Sequence, residues 1–82
     1  MVGHVGSSRA RDARLRSAEE HEKAARDAWL RAAELFENAA RRYERSAEFW
    51  DHYGYQGRAE AARRAAATNL QKAKRAREPA RV

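Results

Sequence analysis

The chain has no cysteine, a single proline at Pro79, and glycine only at positions 3, 6, 54 and 57. Without thiols there is no disulfide staple, no thiolate metal site and no cysteine nucleophile, so 82 residues must be held together by packing alone. Scarce Gly and Pro leave few points at which a helix must stop, and the abundance of Ala, Arg and Glu favours long helices. Long apolar runs are missing as well. Met1 to Ser8 contains none, and no basic leader precedes one, so this stretch reads as neither a secretion signal nor a membrane span. These absences predict an all-α, soluble, cytoplasmic protein with no membrane partner.

Charge of one sign is lacking in most of the chain but not in its last third. Residues 1–28 carry six basic and five acidic side chains (+1), residues 29–53 four and five (−1), and residues 54–82 eight and two (+6). A basic end of this kind attracts nucleic acid, anionic lipid or an acidic protein. Fifteen of the eighteen cations are arginine, which alongside so much alanine is also what a GC-rich coding sequence yields.

What is present is an aromatic stripe. Trp29, Phe36, Tyr43 and Trp50 fall on every seventh position, and three and four residues beyond the first three lie Ala32 and Ala33, Ala39 and Ala40, Ser46 and Ala47. Seven residues make almost two helical turns, so the rings stand nearly above one another on a single face edged by small residues. That much apolar area requires a partner surface. Leu35, Phe49 and Tyr53 widen the stripe, whereas Glu22 occupies its register between Leu15 and Trp29 and predicts that the seam fades there.

The pattern divides into a disordered opening (1–8), helix 1 over about 9–53, a turn at 54–57, helix 2 over about 58–78 and a short tail (79–82). Ser7 or Ser8 caps the early start; Ser17 followed by Glu20 has capping-box spacing and offers a later one, and Ser46 is the internal position where a break is plausible. Gly54 and Gly57 end helix 1, because glycine takes the left-handed conformation without steric cost. Lys72, Lys74, Arg75 and Arg77 suit the negative dipole end of helix 2, and Pro79 stops it. The inner face of helix 2 reads Ala59, Ala62, Ala66, Leu70, Ala73 and Ala76. Alanine against aromatic rings permits close antiparallel approach, so the predicted fold is a long antiparallel helical hairpin.

Two helices form only one seam. A thin alanine ridge cannot cover the whole stripe, and residues 9–28 project beyond the end of helix 2 with no neighbour in the same chain. A second copy supplies the missing surface, giving a homodimer built as a four-helix bundle or a longer antiparallel coiled coil, with Trp29, Phe36, Tyr43, Trp50 and Leu70 as its core. Another helical protein is the other conceivable partner.

Chemistry is poorly represented. Glu44, Glu48 and His52 lie four apart on one face beside Asp51, a spacing that can hold zinc or iron, but the Glu-x-x-His pairs of di-iron bundles are missing and the row reads as solvated. Glu19, Glu20, His21 and Glu22 lack ligand spacing too. Ser7, Ser8, Ser17 and Ser46 sit at helix starts or on polar faces, and no glycine-rich loop follows a strand. The expectation is no catalytic residue, no metal and no cofactor. Tyr53 and Tyr55, either side of Gly54, read as anchors of the turn. Lys72, Lys74, Arg75 and Arg77 point in several directions on a helix, so part of the cluster must be solvated or bound to something acidic: nucleic acid, or Glu34 and Glu37 of the neighbouring helix.

From Tyr43 to Ala66 the succession Tyr43, Ala47, Trp50, Gly54, Ala59, Ala66 resembles one tetratricopeptide-type helix pair. The resemblance covers about a third of the chain and implies a helical hairpin suited to protein contacts. Arg63 stands where that family places a large apolar residue, and no second copy follows at the 34-residue period.

Overall fold

The computed structural model describes the backbone of residues 2–78 and side chains from Ser8 to Glu78. Two helices make up this part of the chain, α1 (Val2–His52) and α2 (Gln56–Arg77), packed against each other with no strand among the described residues. The tail 79–82 lies outside the described residues, as do the side chains of most of the segment 1–8 that the sequence pattern assigns to disorder. Helical backbone is drawn from Val2, ahead of the start expected at Arg9. Neither Ser17 nor Ser46 interrupts α1. Its 51 residues extend about 76 Å at ~1.5 Å per residue, in keeping with a long axis of 81 Å for the whole molecule.

The turn is tighter than the expected 54–57, and only one glycine makes it. Gly54 has φ 81°, the left-handed region, and follows the last residues of α1 as the C′ position of a helix. The Tyr55 N–H donates to the Trp50 carbonyl at 2.8 Å and the Gly54 N–H to the Asp51 carbonyl at 3.1 Å, the paired bonds of a Schellman motif. Its usual apolar contact is present, with Tyr55 edge-on to Trp50 at 5.6 Å. Gly57, expected in the turn, lies in the first turn of α2.

The core consists of alanine methyl groups. Ala33, Ala40 and Ala47 of α1 and Ala59, Ala62, Ala66, Ala73 and Ala76 of α2 are buried, and no larger side chain among the described residues is fully buried. Their spacing is a heptad: seven and seven along α1, and alternately three and four along α2 with Asn69 filling the remaining place. Two ion pairs, Glu37 with Arg77 and Asp51 with Arg63, cross between the antiparallel helices. One apolar cluster joins buried Ala33, Ala73 and Ala76 with half-buried Ala32 and Phe36, which sets Ala33 level with Ala76 and Phe36 level with Ala73. Continued along the seam, this pairing brings Ala40 level with Asn69, Tyr43 with Ala66, Ala47 with Ala62 and Trp50 with Ala59.

Leu70 therefore does not lie on the inner face of α2 within the hairpin. It is 47 % exposed, and half-buried Asn69 holds the seam position, its side-chain amide donating to the Ala65 carbonyl at 2.8 Å. A stripe drawn at 3.6 residues per turn selects Leu70, whereas the alternation of three and four in a supercoiled seam selects Asn69.

Candidate interaction surface

The aromatic stripe flanks the seam instead of facing it. Each ring precedes a buried alanine by four residues or follows one by three, a rotation of about 40–60° around α1. Alanine pairs bring the backbones so close that a ring cannot lie between them, so the rings spread to one side. Phe36 and Trp50 are half-buried, while Tyr43 (42 %) and Trp29 (48 %) are exposed. Trp29 lies past the last residue of α2 that faces α1, and every described side chain from Ser8 to Arg31 is exposed.

Two cations of α2 cover part of the stripe. The Arg58 guanidinium stands 4.7 Å from the centre of the Trp50 ring and 5.7 Å from that of Tyr55, and the Lys72 ammonium 5.8 Å from that of Phe36. Such contacts bury the long apolar stems of Arg and Lys on ring faces while the charge stays wet. Arg58 and Lys72 are two heptads apart, and the position between them is Ala65. It falls beside Tyr43, which explains why that ring is the barest of the three that α2 spans.

Beyond the rings, the next positions round α1 are Ala32, Ala39, Ser46 and Tyr53, followed by Leu35 and Phe49. Phe49 meets Trp50 edge-on at 5.1 Å and Tyr53 at 4.8 Å, yet Leu35, Phe49 and Tyr53 are all more than half exposed. Phe49 and Trp50 line an open groove with Arg42, Arg45 and Ser46. Tyr53 and Tyr55 do anchor the turn, on Phe49 and Trp50 respectively. The result is an apolar flank running the length of the hairpin, with small residues in the middle and rings at both edges.

The basic cluster is divided. Arg77 is bound to Glu37, the intrachain outcome foreseen for this end, and Lys72 lies against Phe36, which leaves Lys74 and Arg75 exposed and without an ion-pair partner among the described residues. The acidic row is exposed: Asp51 is bound to Arg63, and His52 packs edge-on against Tyr53. Among the described residues no three His, Cys, Asp or Glu side chains converge as metal ligands, and no helix is long and apolar enough to cross a membrane.

Sequence periodicity found the stripe but not its cover. The contacts of Arg58 and the seam position of Asn69 were missed, although the alternation of three and four from Ala59 to Ala76 carried the signal for both. No family model matches the chain, no curated protein is significantly similar to it, and no solved structure matches it. The likeness to a tetratricopeptide helix pair accordingly carries nothing beyond the hairpin.

Proposed function

We propose that this is a non-enzymatic, self-associating helical protein whose role is assembly or protein interaction, a homodimer formed through the apolar flank of α1. One observation carries the reading: among the described residues no large apolar side chain is fully buried, while Leu15, Trp29, Leu30, Leu35, Tyr43, Phe49, Tyr53, Tyr55 and Leu70 are each more than 40 % exposed. An apolar surface of this extent on a monomer marks an interaction site. The homodimer is favoured over a heterologous partner because the same helix carries both the covered and the uncovered parts of one continuous stripe. A cytoplasmic setting fits a chain without cysteine.

The test is thermal unfolding followed by circular dichroism over a hundredfold range of protein concentration. Association stabilises the folded state by mass action, so the midpoint should rise with concentration. A midpoint independent of concentration refutes the proposal.

The competing reading, a basic nucleic-acid-associated protein, rests on Lys74 and Arg75, since Arg77 and Lys72 already have intrachain contacts. It predicts DNA or RNA retardation that weakens steeply with salt and disappears when Lys72, Lys74, Arg75 and Arg77 are neutralised. Absence of retardation at low salt removes it.

A further inference from the structure

The arm of α1 that lies beyond α2, residues 8–31, matches in length the hairpin face left open between the two helices, and the stripe runs through both. Resting on the dimer proposed above, we infer that the arm of each copy lies antiparallel in the other copy's groove between α1 and α2, so that α1 pairs with its own copy from Ser8 to Tyr53. The molecule then has four helices, with three in any cross-section near either end.

Three observations lead to this arrangement. The first is size. Along the arm the flank positions alternate at three and four residues as Leu15, Ala18, Glu22, Ala25, Trp29 and Ala32. Antiparallel pairing with its two-fold axis between Leu30 and Arg31 places Leu15 on Ser46, Ala18 on Tyr43, Ala25 on Phe36 and Trp29 on Ala32, so each large residue meets a small one. On the outer edge Leu35 meets Ala28. Parallel pairing instead stacks Leu15 on Phe36, Trp29 on Trp50 and Glu22 on Tyr43, setting rings against rings and a carboxylate on a phenol.

The second is charge. Arg42 and Arg45 line the groove on α1, Arg58 and Lys72 of α2 stand over the Trp50 and Phe36 rings of the same stripe, and none of the four is in an ion pair among the described residues. In the antiparallel register Glu22, the residue that interrupts the stripe, falls opposite Ala39 and next to Lys72, and Asp12 falls beside Arg58. Glu22 is held at present only by Arg26, at 4.0 Å and largely in water. A carboxylate at a core position becomes tolerable where a cation waits for it.

The third is coverage. Pairing hairpin face with hairpin face also sets large residues against small ones, but it leaves both arms bare with Leu15, Trp29 and Leu30 in solvent. Arm in groove covers the arm stripe and the hairpin flank together, in one seam of about 70 Å at ~1.5 Å per residue.

The absence of native cysteine makes the register directly readable. Cysteines are placed at pairs that this register brings face to face, Glu22 with Ala39 and Leu15 with Ser46. In dimeric samples, E22C mixed with A39C, and L15C mixed with S46C, should each form a disulfide between the unlike chains while none of the four variants does so alone. Self-crosslinking of all four means a parallel dimer in register, and self-crosslinking of A39C or S46C only means hairpin face on hairpin face; either result overturns the arrangement. So does a sample that sediments as a dimer in which E22C and A39C stay reduced when mixed, an outcome that leaves the dimer itself intact. A sample that sediments as a monomer removes both this inference and the reading beneath it.

Discussion

At the scale of single residues, glycine and alanine have the roles that large apolar residues fill in most small domains. Gly54 at φ 81° adopts a backbone that costs an L-residue about 1 kcal/mol or more, although a Cβ there would touch nothing. Gly54→Ala should therefore lower stability by about 1–2 kcal/mol through conformation alone. Gly57, with equal space around it and ordinary helical backbone, should behave oppositely: Gly57→Ala should raise stability by about 0.5–1 kcal/mol, since alanine restricts the unfolded chain and favours the first turn of α2. Chemical denaturation of the two variants checks the sign of each. At the seam, Ala59 is fully buried opposite Trp50, and Ala59→Leu should force the helices apart at a cost of about 1–3 kcal/mol, seen as a lowered melting midpoint. The paired glycines could be read from the sequence as a turn. Which of them turns the chain could not, because that depends on the Schellman bonds closing around Gly54.

At the scale of elements, the two helices, their antiparallel pairing and the projecting arm follow from periodicity and from the near absence of breakers. Less was legible in the details of packing. The capping-box spacing at Ser17 marks no helix start, because nothing nearby competes with continued helix and Ala, Arg and Glu propagate it. The stripe suggests that the rings form the core, but close contact between alanines excludes them from the axis, a consequence of two surfaces meeting that one helix's pattern does not contain. Trp29 separates the two levels. It lies past α2, so truncating it removes little from the hairpin, whereas in an association interface an aromatic anchor carries a large share of the binding energy. Trp29→Ala should leave the helical content of a dilute sample unchanged and weaken self-association by at least about tenfold, measured as a shifted dimerisation curve. Equal affinity for the variant and the parent chain would take the arm out of the interface.

At the scale of the whole molecule, an 81 Å rod whose fully buried core is alanine is an incomplete packing unit. The ion pairs between its helices, Glu37 with Arg77 and Asp51 with Arg63, are solvent-exposed and worth no more than about 1 kcal/mol each, so they set register more than stability. The large side chains that ordinarily stabilise a small domain are present in the sequence but lie on the flank, where the proposed second copy would cover them. That the chain carries more rings than it can cover was legible from their number, and the proposed partner follows from that excess. Where the partner sits was not, because it depends on the direction in which the rings leave the seam.

Sedimentation equilibrium of the full chain from about 1 to 100 µM tests that dependence most directly. A mass approaching twice the 9.4 kDa of one chain, reached within this range, is the predicted result. A fully helical species with the mass of a single chain at every concentration would contradict it.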